Sequence, residues 1–538
     1  MSNNHNHPFS RRNFLKIMGL TTSLPLMQTP VQILLESIIL GAQRKAEAEI
    51  LGIFPRRYLH ILQEGAPPRW SFDLFLTPYN TTAFTGKTAF GNHYVGSGGV
   101  ATGLTYETVL KKGVNVPHLW NFPVPAVGGG MRPMDGLLDN LLLLRGIVVG
   151  NPDHTASQAL QFLPLGSTQS MTALSGDLST KPFPSVNASV AQFKYSSNVS
   201  KSAVTISGGG NMLNTLLSPF IRKDLGSFNT NRLALSSALD ASISALDSVA
   251  SNLHPGSDSI TLASQSAKDL LSSGFGNLTT VWDSLVNKYT DLITRGIDPT
   301  QLLPGINDLK IAPNGTKDYQ INGIIITDPD IRTMITTSTY IGRMAAHFAM
   351  AEYVLINNLS DSVAIAPYSF IRFNINGALE SGQNDEHTTS AMVSNYYNSF
   401  YNLAYSACLL ELIDQLKIKG IFSDTVIVTG GEFGRNPLND GTGSDHGYLG
   451  SSSAIYSGAI GGPIVLGNIY QNSPQPNYSG TWGHGAPVAE LGEPLNLAHW
   501  ASTIAYLLRT PSPVTAGGSL LVAAGSDLVP TIEKAKQV

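Results

Sequence analysis

The chain has 538 residues, 42% of them apolar and only 13% charged, with 52 glycines, 31 prolines and a formal net charge of −4. That length accommodates one large domain with insertions or two to three domains, and the apolar content excludes a disordered chain. A weakly acidic balance carries no nucleic-acid footprint, and the single cysteine, Cys408, excludes an intramolecular disulfide. Phe400, Leu403, Ala407 and Leu410 surround Cys408 at helical spacing, which predicts a buried core thiol.

Residues 10–16 read SRRNFLK, the pattern of a twin-arginine export signal, and an apolar segment over 17–26 follows that is too short to span a membrane. A second apolar patch over 33–42 and the AEA at 46–48 extend the leader to a cleavage candidate, with an uncleaved anchor as the alternative. Residues 1–48 are therefore set aside as leader, and the twin-arginine translocase is the expected export partner.

The mature chain opens with a buried-strand pattern at 58–63 and a loop, EGAPP, at 64–68. Asp73 follows among aromatics, and such an acid is costly to bury unless paired or bound to a cation. Residues 80–130, rich in Gly, Thr, Asn and Pro, read as loops. LLLLRGIVVG at 141–150 is a second strand, broken by NPDH at 151–154 before a helical pattern from 155 to 162. His154, Thr155 and Ser157 thus lie at a helix start just past a strand, where anions bind; ordinary capping by Asp153 or Thr155 is the plain alternative.

Residues 201–330 change texture. Leu235, Leu239, Ile243, Leu246, Val249 and Leu253 keep helical steps, Val281, Leu285 and Leu292 begin another helix, and the block reads as a helical insertion between core parts at 49–200 and 331–538. Beyond it come a long helix pattern over 331–355, a strand at 369–375 followed by Asp385 and His387, a returning helix over 392–419 and a β-branched strand at 425–429. Strand, helix, strand is the crossover unit of a parallel sheet. The last strand ends in the glycine-rich GGEFGR, with Glu432 and Arg435, and the pair Asp445 and His446 follows between glycines. A short strand at 464–466 and a helix at 497–508 close the pattern, with His499 near the helix start, where a lone histidine is more often structural.

The acids and histidines singled out along the core follow strands, and in a parallel sheet such ends share one edge. Carboxylates and imidazoles meeting there would make a mixed oxygen and nitrogen site for a divalent metal: Zn, Mn, Fe or Ca, with no thiolate to choose among them. Such a site can polarise an ester oxygen or generate hydroxide at neutral pH. Unrelated, solvated loop charges are the alternative.

These residues resemble a family of bacterial twin-arginine-exported proteins of unknown function within the alkaline-phosphatase/sulfatase-like superfamily. TGGEFGR at 429–435, Asn439 and GSDHG at 443–447 are similar to its most specific motif, and NDEH at 384–387 resembles a WDTH motif without the Trp. NLAHWAST at 496–503 looks like a DLHAT helix, and Pro184-Ser185 resembles a Pro-Ser after its second strand region. The resemblance spans roughly 55–190 and 335–512. The family's first Gly-Gly loop is replaced here by EGAPP, which leaves the alignment of Asp73 open.

The resemblance implies a three-layer α/β/α sandwich around a mostly parallel sheet, to which this chain adds the helical insertion. It implies a metal-dependent hydrolase of small anionic phosphate or sulfate esters. Asp73, Asp385, His387, Glu432 and His446 are the expected ligands, Asp445 a ligand or a partner behind one, and Arg435 a clamp for an anion or carboxylate. No motif identifies the nucleophile, so Thr155 and Ser157 stand by position alone. The rival reading is a non-catalytic exported binding or surface-assembly protein on the same scaffold, meeting an unknown surface partner.

Overall fold

The computed structural model describes residues 56–68, 72, 108–179, 181, 183–206, 212–217, 275–298, 320–321, 324–325, 336, 338–368, 372–375, 378–381, 385–389, 391–437, 444–469 and 484–533. The leader, Asp73 and the helix expected over 235–253 lie outside them.

Eight strands form the central sheet: β1 (Arg57–Gln63), β2 (Leu141–Ile147), β3 (Val186–Ala188), β4 (Val204–Ile206), β5 (Ser362–Tyr368), β6 (Thr425–Gly431), β7 (Ser451–Tyr456) and β8 (Ile464–Leu466), in the order β8-β2-β7-β6-β1-β5-β3-β4. Neighbours are parallel except around β7, which runs against both β6 and β2. All other strands therefore point one way, and their carboxyl ends reach one edge. The protein is mixed α/β with a mostly parallel sheet, as the alternation of elements predicts.

Near-continuous apolar runs make these strands because both of their faces are buried. Leu141 and Leu143 join one hydrophobic cluster with Leu59, Ile61 and Ile427, while Leu142 and Leu144 join another with Tyr58, Val426 and Val428. The first cluster also takes residues of helices α3 (Phe275–Gly296), α4 (Ser338–Ile356) and α5 (Ala391–Ile418), including the buried Cys408; the second takes α2 (Met171–Gly176) and α6 (Leu497–Leu508). At about 1.5 to 3 kcal/mol for each fully buried large side chain, these two clusters dominate the stabilisation of the sheet. His60, on the Tyr58 face of β1, is 1% exposed; burial lowers its pKa to about 3, and its Nδ1 meets the Tyr58 hydroxyl at 2.7 Å.

The structure corrects three local expectations. The strand expected at 369–375 is present at Arg372–Ile375 but lies outside the central sheet: it pairs antiparallel with Ala378–Ser381, and the central sheet takes β5 instead. Pro367 hides β5 in the sequence, because proline cannot donate to a ladder. A register shift opposite Ile61 and Gln63 accommodates it. Within the stretch read as loops, Thr108–Lys111 pairs with Val114–Pro117 through Lys112 and Gly113, both at positive φ, and Pro123–Pro125 pairs with Met131–Pro133. These strands are too short for alternation to show.

The stretch read as a helical insertion also holds β4 at the sheet's edge, and α3 is joined to the core helices by ionic contacts. Lys288 Nζ lies 2.7 Å from Glu352 and 3.0 Å from Glu411, and Tyr289 donates to Glu352.

Helix starts follow their caps. In α1 (His154–Phe162) the Asp153 carboxylate accepts from Ala156 N, and in α6 the Asn496 side chain accepts from Ala498 N and His499 N. Among the described residues no helix is long and apolar enough to cross a membrane.

Candidate metal centre

The carboxyl ends of β1, β2 and β6 supply the walls of the centre. β1 runs into Gly65 and Ala66, at φ 88° and 53°, and β2 runs through Asn151 to the first turn of α1. β6 ends at Gly431, where an added Cβ would lie 3.1 Å from Ala66 Cα, so the glycine allows the two strand ends to pack closely. The chain then enters the hairpin Gly434–Pro437/Ser444–Gly447, in which Arg435 faces His446 and Asn436 faces Asp445. Asp385 and His387 come from the segment before α5. The residue between them, Glu386, is buried and accepts from Ser394 and Asn398 of α5, while its carbonyl accepts from Ser444. That inward anchor leaves its two neighbours to the centre.

His154, Asp385, His387 and His446 each offer an atom that lies within 4.8 Å of the others'. Asp385 Oδ1 is the hub: Arg435 Nη2 is 2.7 Å away, His154 Nε2 and His387 Nε2 are each 3.1 Å away, and His446 Nε2 is 3.6 Å away. The Nε2 atoms of His387 and His446 are 2.8 Å apart. Burial alone would raise the Asp385 carboxyl, but the imidazoles of His154, His387 and His446 around it, with the Arg435 charge, hold it far below the usual carboxylate range.

Two of the imidazoles, His154 and His446, have an acceptor on the side away from the hub, and His387 has a carboxylate nearby but beyond hydrogen-bond distance. His154 Nδ1 lies 2.7 Å from Glu432 Oε1, His446 Nδ1 meets the Pro152 carbonyl, and His387 Nδ1 is 3.8 Å from Asp445 Oδ1. A carbonyl or carboxylate at Nδ1 places the proton there and turns the Nε2 lone pair inward. Burial lowers the His154 pKa, but the neighbouring carboxylates of Asp385 and Glu432 raise it to about 9 overall. A divalent cation at Nε2 would take the place of that second proton.

Residues 381–479 match the family model described as a protein of unknown function, DUF1501. No curated protein and no solved structure matches the chain. The matched span holds Asp385, His387, Glu432, Arg435, Asp445 and His446, whereas His154 lies outside it.

The donor set fits a divalent metal. Four ligands at about 2.0 to 2.1 Å around a tetrahedral ion stand roughly 3.3 Å from one another, and the spacings given above, from 2.8 to 3.6 Å, bracket that value. Three imidazoles and one carboxylate make a mixed nitrogen and oxygen shell, unlike the all-oxygen shell that Ca prefers.

Each residue of the EFGR stretch has a separate task. Glu432, fully buried, stands behind His154 and outside the four-residue group; its Oε1 also accepts from Gly65 N at 2.9 Å and from Gln158 Nε2 at 3.4 Å. The Phe433 ring packs 4.7 Å from His154 and 4.4 Å from His446. Gly434 has no room for a Cβ, which would meet Gly450 O at 2.9 Å. Arg435 is a carboxylate clamp, donating to Asp385 and to the carbonyls of Gly65 and Ala66.

Of the remaining expected residues, Asp445 sits beside His387 and accepts from His446 N. Thr155 is exposed on the first turn of α1, and the buried Ser157 hydroxyl donates to the Asn151 carbonyl. His499 is 4% exposed, with Nε2 3.8 Å from Glu493, and burial lowers its pKa. Gln158 went unnoticed in the sequence. Its one signal was the step of four from His154 along the helix.

Proposed function

We propose that this protein is an exported, metal-dependent hydrolase of small anionic phosphate or sulfate esters. The observation that carries the reading is the convergence of three imidazoles and one carboxylate at the carboxyl edge of a mostly parallel sheet. His154, Asp385, His387 and His446 would hold the metal, whose charge would polarise an ester oxygen. Arg435 fixes the Asp385 oxygen that faces it, and Phe433 backs two of the imidazole rings. With the Ser157 hydroxyl engaged by Asn151, Thr155, exposed beside His154, is the residue offered to substrate.

The same reading takes the two apolar faces of the sheet as the inner surfaces of a three-layer α/β/α sandwich of the alkaline-phosphatase/sulfatase kind. Residues 201–330 would then elaborate that scaffold rather than form its centre. Export through the twin-arginine translocase, to the periplasm or cell surface, rests on the SRRNFLK motif.

Metal analysis of protein purified without added metal, followed by phosphate- and sulfate-ester panels with and without chelator, tests the proposal. The expected result is bound Zn, Mn or Fe and chelator-sensitive hydrolysis. A metal-free, inactive protein would favour the non-catalytic binding or surface-assembly reading.

A further inference from the structure

We infer that Glu432 is the positioning carboxylate of the centre: it holds His154 through Nδ1 so that Nε2 faces Asp385, and does not itself bind the metal. The inference rests on the metal-centre reading above and names a role that the four converging side chains leave open.

The geometry separates Glu432 from the ligands. Its Oε1 lies 2.7 Å from His154 Nδ1, 2.9 Å from Gly65 N and 3.4 Å from Gln158 Nε2, so this oxygen is already shared among three nitrogens. The side chain is fully buried at the end of β6, and Gln161 Nε2 lies 3.4 Å from the Glu432 carbonyl. A histidine on the first turn of a helix can otherwise turn its ring and present either nitrogen. The carboxylate selects one ring orientation and one tautomer, and makes Nε2 the better donor. Because Gly65 shares Oε1, the same carboxylate ties His154 to the turn after β1, which Arg435 holds from its other side. Oε2 of Glu432 is buried with no hydrogen-bond partner among the described residues, so direct contact of that oxygen with a cation is the rival role.

The test is titration of the chelated full-length protein with Zn and with Co(II), for wild type, Glu432→Gln, Glu432→Ala, His154→Ala and the double variant His154→Ala/Glu432→Gln. A positioning carboxylate predicts binding about ten- to hundredfold weaker in Glu432→Ala. It also predicts unchanged stoichiometry and the same number of nitrogen and oxygen neighbours by X-ray absorption. Glu432→Gln, which keeps the shape and an accepting oxygen, should fall between wild type and Glu432→Ala and carries the test if the alanine variant does not fold. Since the effect passes through His154, the Gln substitution should change nothing further in the His154→Ala background. A purely structural role would weaken both backgrounds alike. Unchanged affinity in both Glu432 variants, loss of an oxygen neighbour in either, or an undiminished effect without His154 would overturn the inference while leaving the metal centre intact. A wild type that binds neither ion overturns both.

Discussion

Replacing Arg435 by alanine should loosen the centre from its foundation, and the structure sets the size of the effect. The Arg435 side chain is fully buried and donates to Ala66 O at 2.9 Å, Gly65 O at 2.7 Å and Asp385 Oδ1 at 2.7 Å. Gly65 and Ala66 are themselves buried, so truncation strands two carbonyl acceptors, each at about 1 to 3 kcal/mol. Asp385 adds less, because it is 33% exposed and three imidazoles remain around it. The turn also holds Ala66 at a φ of 53°, a conformation that side chains disfavour and that the clamp maintains. Allowing for water entering the emptied space, the expected loss is about 3 kcal/mol. Urea unfolding of chelated protein, followed by the fluorescence of Trp120 and Trp500, both 1% exposed, measures it. Arg435→Lys keeps the charge without the planar fork and should recover less than half. A loss below about 0.5 kcal/mol in Arg435→Ala would refute the assignment of this side chain as a structural clamp.

His446→Ala removes a proposed ligand from a partly exposed hairpin, so the chelated variant should melt near wild type. It should nevertheless lose most of a metal-dependent gain worth about 2.7 kcal/mol at a hundredfold excess over Kd; a wild-type melt indifferent to chelator and to Zn, Mn and Ca would count against the centre. Burial raises the Glu64 carboxyl to about 7 against the lowering effects of Arg343 and the Ala191 amide, with Glu432 adding to the rise. The folded protein therefore keeps a proton there that the unfolded chain releases near 4.5. The stability contributed by Glu64 should be complete below that pH and lost as pH rises through 7, by up to about 1.4 kcal/mol per pH unit. Glu64→Gln should flatten that part of the pH profile in chelated samples, and equal slopes for variant and wild type would sink the argument. Replacing Arg11 and Arg12 by Lys should abolish export, read by cell fractionation; normal export of the double variant would show that the leader has been misread.

What could be read along the chain was whatever local composition determines. The runs at 141–147 and 425–429 announce strands because they are largely apolar, and α6 announces itself as the apolar run at 497–508. The sequence also singled out Asp385, His387 and His446, all of which enter the centre, although the strand expected before Asp385 and His387 lies outside the central sheet, and the glycine-rich exit of β6 marked Glu432 and Arg435 as exceptional. β5 escaped because Pro367 interrupts its pattern, and the short hairpins escaped because periodicity needs length.

Tertiary structure alone decided how these side chains divide the work. His154 and His446 stand 292 positions apart in the chain, yet their ring centroids are 4.5 Å apart, and no local pattern encodes that meeting. Glu432 and Asp385 are both acids near the centre, and the sequence makes them equal. They differ only in which ring nitrogen their oxygens face: Asp385 meets Nε2 of His154 from within the cluster, while Glu432 meets Nδ1 from behind. That distinction depends on the rotation of a single imidazole, fixed by the packing of β1, β6 and α1 around it.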